Sequence, residues 1–427
     1  MAIEKICILG LGYIGLPTAS TFATHGKQVV GVDINAEVVE GLKQEKIHIH
    51  EPGLRSLVLS ALRSGNLHIQ EQPEPADAFI IAVPTPFYPD NKRADMRYVS
   101  AASEAIVPHL QPGNLVILES TSPPRTTVDL VAPILERSGL KAGRDFSLAY
   151  SPERVLPGRI LEELLENARV IGGYDHRSAE LGRDLYRVFA RGEIVLTDAT
   201  TAEMVKLMEN TFRDINIAIA NEYSRLADRL GIDVWEAIEI ANLHPRINIL
   251  KPGPGVGGHC ISVDPWFLVE AAPDVATLIR TARQVNDAQP EFVVELVKRA
   301  CGGELAGRKI AALGLTYKPD VDDFRESPAI EVVRLLVSTG ASLSCYDPYY
   351  TRQEIEGAAL SAELQDVIGT ADLLLMLVAH REIRALEPAW FTVHTPARLV
   401  VDTVNLIDEQ QWVSAGFQLQ RLGVGQP

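Results

Sequence analysis

Lys5-Ile6-Cys7-Ile8-Leu9-Gly10-Leu11-Gly12-Tyr13-Ile14-Gly15 is a short apolar run that empties into G-x-G-x-x-G and then into a helical stretch. In that context each glycine has its own task. The first makes the tight turn, the second lets a pyrophosphate come up against the backbone, and the third lets the helix lie close on the strand. A second strand, Gln28 to Val32, ends in Asp33, near the spacing at which a carboxylate accepts from ribose hydroxyls. An acid there repels a 2′-phosphate, so NAD is expected rather than NADP. The cofactor contacts expected here are Gly10, Gly12, Tyr13, Ile14, Gly15 and Asp33.

Outward from this unit, the first two hundred residues alternate short apolar strands with helical segments, the pattern of a parallel sheet covered on both faces. Ala78 to Val83 and Leu115 to Leu118 read as inner strands. They run into Val83-Pro84-Thr85-Pro86 and Glu119-Ser120-Thr121-Ser122-Pro123-Pro124. Ligands lie at the carboxyl ends of such strands, which points Thr85 and Thr121 at the cofactor. A further strand, Phe146 to Tyr150, leads into Ser151-Pro152-Glu153-Arg154-Val155-Leu156-Pro157-Gly158 and puts Glu153 and Arg154 at the same edge.

A helix is expected from about Thr201 to Leu230, with Thr200 and Glu203 spaced as a capping box and Gly231 as the stop. Lys206, Asn210 and Arg213 recur along it at i, i+4 and i+7, on one face. The last third starts again with a strand, Arg308 to Leu313, then Gly314-Leu315-Thr316-Tyr317-Lys318-Pro319. A helix from about Pro328 to Thr339 and a strand from Ser342 to Tyr346 follow. This reads as a second nucleotide-binding α/β domain without the full glycine fingerprint, suited to a nucleoside diphosphate.

Gly255-Val256-Gly257-Gly258-His259-Cys260-Ile261-Ser262-Val263-Asp264 places a thiol on a glycine-built turn beside a carboxylate. Glycines admit close approach, and backbone N–H groups favour the thiolate, so Cys260 reads as a nucleophile. Cys7 and Cys345 sit in apolar strand-like runs and Cys301 ends a helical pattern, which suits small buried hydrophobes. A metal site from His244, His259, Cys260 and Asp264 would lack a recognisable zinc spacing, and no metal is expected.

Composition agrees with a multidomain enzyme. The chain has 427 residues and a formal net charge of -16, which argues against electrostatic binding to nucleic acid or an anionic membrane. Four scattered cysteines suggest a reducing compartment. No leader pattern or membrane-length apolar run is read, so the expected location is the cytoplasm.

The ordered series Gly-x-Gly-Tyr-Ile-Gly-Leu-Pro, Val-Pro-Thr-Pro, Ser-Thr-x-Pro-Pro, Ser-Pro-Glu-Arg, the Lys206/Asn210 helix, Gly-Gly-x-Cys with Asp264 four residues on, and Lys318 with Arg325-Glu326-Ser327-Pro328 resembles the UDP-glucose/GDP-mannose dehydrogenase family over the whole chain. Within it, the runs at Ser151, His244 and Pro252 look most like the branch acting on UDP-N-acetyl-D-mannosamine. UDP-N-acetylglucosamine and UDP-glucose are the alternative substrates. The resemblance implies an α/β fold of two Rossmann-like doubly wound domains joined by a long central helix and a helical dimerisation region. It also implies three parts: 1–199 binding NAD, 200–300 for dimerisation and carrying Cys260, and 301–427 binding the UDP-sugar.

The chemistry implied is oxidation of the sugar C6 alcohol to a carboxylate with two NADH formed, through a thiohemiacetal and a thioester on Cys260. Lys206 and Asn210 would hold the C6 oxyanion, while Glu153 and Asp264 would serve the hydrolytic water, either being its base. The substrate contacts implied are Arg154, Val155, Lys206, Asn210, Arg213, His244, Arg246, Gly257 and Lys318. Arg246 would reach the neighbouring subunit's site in a homodimer, and Arg325 would pair with the NAD phosphates across an interdomain cleft. A two-electron hydroxyacid dehydrogenase would have no use for Cys260, and a non-catalytic sugar-nucleotide sensor would lack the nucleophile, Lys206 or Glu153.

Overall fold

The computed structural model describes residues 3–156, 158–349 and 354–425, so Pro157 of the Ser151 run lies outside the described residues. The chain divides into two compact units. One comprises residues 1–209 with 266–275, and the other 210–265 with 276–427.

In the first unit the strands are β1 (Lys5–Leu9), β2 (Gln28–Val32), β3 (Leu67–Gln70), β4 (Ala78–Ile81), β5 (Leu115–Leu118), β6 (Ser147–Tyr150), β7 (Arg169–Gly173) and β8 (Ile194–Asp198). They form one sheet in the order β3-β2-β1-β4-β5-β6-β7-β8. Side chains alternate across it. Ile6 and Ile8 enter one core with Leu16, Phe22, Leu42 and Ile117, whereas Cys7 and Leu9 enter another with Phe79, Ile106 and Leu118. Both faces are therefore covered, and each fully buried Ile or Leu contributes roughly 2 kcal/mol. The expectation of a wholly parallel sheet fails at one place, because β7 runs antiparallel to β6, with Ala149 opposite Gly173. The strand expected over Ala78 to Val83 ends at Ile81, just before the Pro84 loop.

In the second unit the strands are β9 (Lys309–Leu313), β10 (Ser342–Tyr346), β11 (Ala358–Leu360), β12 (Leu373–Met376), β13 (Leu399–Asp402) and β14 (Gln418–Arg421), in the order β11-β10-β9-β12-β13-β14. All pair parallel. Ile310 and Ala312 face one core with Val332 and Leu336, and Ala311 and Leu313 face another with Phe391 and Trp412. This is a second doubly wound sheet.

Helix Ala199–Leu230 has 32 residues and runs across the division between the units. At 1.5 Å per residue it is roughly 48 Å long. It ends, as expected, at Gly231, whose φ of 68° few other residues adopt at low cost. The expected capping box does not form. The helix starts one residue earlier than Thr200, and Asp198 serves as the cap, accepting from the Thr201 N–H at 2.9 Å and its hydroxyl at 2.6 Å. Glu203, fully buried, turns away to the loop after β5, where it accepts from the Thr127 N–H at 2.7 Å and from the Arg125 N–H. Among the described residues no helix is long and apolar enough to cross a membrane.

Candidate active site

At the carboxyl edge of the first sheet, Gly10 sits at φ 96°, and a Cβ there would lie 2.4 Å from the Ala82 carbonyl oxygen. A Cβ on Gly15 would meet the Gly10 carbonyl. These two glycines are demanded by the turn itself. Gly12 is different, since nothing lies within 4 Å of its Cβ position, and the space beside it is the open approach a pyrophosphate needs. Helix Gly15–Thr24, with Ile14 as its N-cap, has no side-chain cap and no acid in its first turn, a helix start of the kind that can receive an anion. Half-buried Tyr13 packs on the core below.

Asp33 is half-buried at the end of β2. Its Oδ2 accepts the Leu11 N–H at 2.9 Å and its Oδ1 the Asn35 N–H at 2.9 Å. Each oxygen keeps acceptor capacity for a ribose diol. The neighbouring strands β4 and β5 carry Thr85 and Thr121 in their exit loops. Ser120 ties these loops together, its hydroxyl donating to the Val83 carbonyl at 2.7 Å and accepting the Val83 N–H at 2.9 Å. The residues present thus fit a bound dinucleotide.

Glu153 and Arg154 follow β6 at this same edge, and both are already engaged. Glu153 Oε2 accepts from Arg169 at 2.9 Å, and Arg154 pairs with Glu209 at 2.5 Å. Val155 packs against the core. Beyond it, Glu51 caps the loop, its two oxygens accepting the Gly158 and Ile160 N–H groups at 2.8 Å each. Glu51 and Glu119, missed by sequence reasoning, and Glu203, read there only as part of a capping box, are buried here and hold loops or side chains of the edge. A Glu in the middle of an apolar or polar run carries no local sign of burial, so the sequence had no signal for them. Lys206, also buried, lies on the face of the long helix that continues to Asn210.

In the second unit Asn210 is buried and joined on both sides, its amide N–H donating to Asp264 Oδ2 and its carbonyl accepting from exposed Arg213. Asp264 opens helix Asp264–Ala271, and the Cys260 carbonyl accepts the Asp264 N–H at 2.8 Å and the Val263 N–H at 3.0 Å. Cys260 therefore stands at the start of a helical turn that leads into this helix. It is half-buried. Burial pushes the Cys7 and Cys345 thiols up to about 12, which suits inert core residues.

The glycine run before Cys260 meets the chain itself. A Cβ on Gly257 would lie 2.4 Å from the Glu326 carbonyl and one on Gly258 2.9 Å from the Tyr317 ring, while the Gly258 N–H donates to the Arg325 carbonyl at 3.1 Å. The close approach read from these glycines is to the Tyr317–Pro328 loop. That contact brings the Cys260 turn beside the segment carrying Lys318 and Arg325. Arg325 makes a bidentate pair with Asp323 at 2.9 and 2.6 Å. His244 and Arg246 lie on an exposed turn after helix Val234–Asn242.

Three family models match the sequence. They describe the UDP-glucose/GDP-mannose dehydrogenase family's NAD binding domain (residues 4–190), its central domain (200–288) and its UDP binding domain (311–409). The chain is 48% identical to UDP-N-acetyl-D-mannosamine dehydrogenase of Methanocaldococcus jannaschii, over 99% of this chain and 97% of that one. It is also 48% identical to NDP-N-acetyl-D-galactosaminuronic acid dehydrogenase of Ralstonia solanacearum, over 94% and 95% of the two chains. The structure of UDP-D-ManNAc dehydrogenase from Pyrococcus horikoshii matches with a TM-score of 0.92 at 40% identity, covering 99% of this chain and 100% of that one.

Proposed function

The chain belongs to the UDP-glucose/GDP-mannose dehydrogenase family and is an NAD-dependent nucleotide-sugar dehydrogenase; from that premise we propose that it oxidises UDP-N-acetyl-D-mannosamine to UDP-N-acetyl-D-mannosaminuronate through a thioester on Cys260. The observation that carries the reading is the setting of Cys260, half-buried at a helix start and followed four residues on by Asp264. Full-length relatives named for this substrate support the choice of sugar.

NAD, when bound against Gly12 and Asp33, supplies the hydride acceptor for both oxidations. In the first, the C6 hydroxyl gives its proton to Lys206 as a hydride leaves C6, and the Asn210 amide orients the oxygen. The Cys260 thiolate then adds to the aldehyde carbon. Lys206 and Asn210 hold the oxyanion so formed, each donor contributing on the order of 3 kcal/mol. Loss of the second hydride from C6 leaves a thioester. Water adds to its carbonyl carbon, one of its protons passes to Glu153, the C–S bond breaks to restore the thiolate, and the acid so formed gives its remaining proton to solvent and leaves as the carboxylate. Glu153 is the base in this reading because Asp264, 2% exposed, is bonded to Asn210 and so is committed to orienting an oxyanion donor. Arg154, Val155, Arg213, His244, Gly257 and Lys318 contact the sugar nucleotide, and Arg325 the NAD phosphates.

The enzyme works as a homodimer. Met208, Phe212, Tyr223, Leu226 and Leu230 recur at helical spacing along the long helix and are 54%, 68%, 43%, 47% and 68% exposed, an apolar stripe suited to a second copy. Arg246, on its exposed turn, then serves the partner's substrate.

The test is NADH formed per sugar consumed, with UDP-N-acetylmannosamine, UDP-N-acetylglucosamine and UDP-glucose run in parallel. About two NADH per sugar, greatest with the mannosamine, is the result expected from complete oxidation through a covalent intermediate. One NADH per sugar would demote Cys260 to a bystander, and two on a different sugar would overturn only the substrate.

A further inference from the structure

Behind Glu153 lies a cluster that the reaction as drawn does not use. Arg169 opens β7, and because that strand runs antiparallel to β6, its first residue comes to the carboxyl edge of the sheet beside Ser151 and Glu153. A parallel β7 would have put Arg169 at the opposite edge. Arg169 donates to Glu153 Oε2 at 2.9 Å and to the Ser151 hydroxyl at 3.2 Å, and its guanidinium lies 4.3 Å over the Tyr186 ring. Glu119, the first residue after β5, stands 3.8 Å from the same guanidinium and accepts the Tyr186 hydroxyl at 2.6 Å. Its second oxygen is buried with no hydrogen-bond partner among the described residues.

The side chains of Glu119, Arg169 and Glu153 are 0%, 5% and 8% exposed. Two carboxylates against one guanidinium would leave an uncompensated negative charge in a dry site, and such a site favours keeping one proton. The more buried acid, with an oxygen that no hydrogen-bonding group of the described residues reaches, is the one to hold it. Resting on the reading of Glu153 as the hydrolytic base, we propose that Arg169 and Glu119 are its positioning residues: Arg169 aims the Glu153 carboxylate, and Glu119, as the protonated member of the cluster, leaves Arg169 to Glu153. Burial and the neighbouring Glu153 push the Glu119 carboxyl up to about 7 against the pull of Arg169 and Tyr186. The same surroundings raise the Tyr186 hydroxyl well above its ordinary range, burial first and then Glu119, so it remains a donor. Among the described residues, the titratable and charged groups that act on the cluster are Glu119 at the β5 exit, Glu153 at the β6 exit, Arg169 on β7 and Tyr186 at the end of helix His176–Tyr186.

The experiment is quenched-flow measurement of thioester on Cys260, with UDP-N-acetylmannosamine and NAD, as a function of pH. Arg169→Met should slow hydrolysis about 100-fold, the size of a general-base contribution, and accumulate acyl-enzyme after a rapid burst of NADH. KM for the sugar nucleotide should stay close to that of the wild type, and Arg169→Lys should recover part of the rate. Glu119→Gln fixes the uncharged form, so the inflection in hydrolysis near pH 7 expected of the wild type should vanish. That variant keeps the side-chain volume and carries the test if Arg169→Met fails to fold. Hydrolysis at the wild-type rate in Arg169→Met, or an inflection near pH 7 that survives in Glu119→Gln, overturns the proposal. Glu153→Gln is the control. If it hydrolyses thioester normally, the reading of Glu153 as base falls and this proposal with it; if it is defective while Arg169→Met is normal, only this proposal falls.

Discussion

In the first sheet Asp33 follows β2, and its Oδ2 accepts the Leu11 N–H at 2.9 Å; in the second, Asp347 follows β10, and its Oδ2 accepts the Leu315 N–H at 2.6 Å. The likeness extends to the turn. Gly10 at φ 96° donates to the Val32 carbonyl at 2.8 Å, and Gly314 at φ 91° donates to the Tyr346 carbonyl at 2.8 Å. One local device, an acid at the end of the second strand that ties down the first turn, is therefore built twice. What surrounds it differs. Asp33 stays half-buried, but Asp347 is 1% exposed and covered by His380. The Asp320 N–H donates to His380 Nδ1 at 3.1 Å, which leaves the proton on Nε2 to donate to Asp347 at 3.0 Å. The connection to the next helix also differs, five residues after β1 and fourteen after β9. The short turn leads directly into a helix start, and the long loop carries Lys318 and Arg325 instead. A carboxylate sealed by histidine has no face left for a ribose, so the acid that closes this turn serves the fold alone.

The largest effect that could break this comparison belongs to Asp347. Replacing it with Ala leaves the Leu315 and Thr316 N–H groups and His380 buried without their acceptor, at a cost of about 3 kcal/mol. Denaturant unfolding should show that loss with KM for NAD unmoved; a raised KM would mean that Asp347 serves a ligand. Burial pushes the Asp347 carboxyl up, but the hydrogen bonds from His380, Leu315 and Tyr349 outweigh it and hold it below the usual range. Its stabilisation is accordingly full above about pH 4 and lost as pH falls further. The variant should lack that acid limb.

Asp33→Ala comes next and inverts the pattern. Loss of a charge-assisted contact to the ribose should cost about 2 kcal/mol of NAD binding, roughly 30-fold in KM, with a smaller fall in stability. An unchanged KM for NAD would remove the ribose contact and the contrast with it. Smallest is Gly12→Ala, whose added methyl meets no protein atom within 4 Å and should leave unfolding unchanged while weakening NAD about tenfold. Gly314→Ala should do the reverse, because its methyl would lie 2.5 Å from Val378 Cβ. Equal NAD affinity in Gly12→Ala and wild type would mean that the open space beside Gly12 is not where the cofactor comes close.

Much of this was legible in the chain. The strands Lys5–Leu9, Gln28–Val32, Leu115–Leu118 and Ser342–Tyr346 were readable to the residue, since each is an apolar run closed by a glycine or a polar loop. Three features were not. Thr200 and Glu203 have the spacing of a capping box, yet Asp198, at the end of β8, starts the helix earlier and Glu203 finds the Thr127 loop. The Gly255–Gly258 run reads as an approach for a ligand, and its spacing does not show the approach the structure adds, of Gly257 and Gly258 to Glu326 and Tyr317. The reversal of β7 leaves no mark on its apolar pattern, because buried strands look alike in either direction.

By itself the sequence determined the two doubly wound sheets, the glycine turn, the acid after the second strand and the order of the chemical motifs. These depend on neighbours a few residues apart: turn geometry, side-chain alternation and helix stops. Only the tertiary structure decided which acids stay accessible and which are sealed. Asp347 meets His380 across 33 residues, Glu119 meets Tyr186 across 67, and Glu203 meets Thr127 across 76. A buried polar group must find a partner, and sequence periodicity specifies that it is buried or exposed without specifying which distant group it meets.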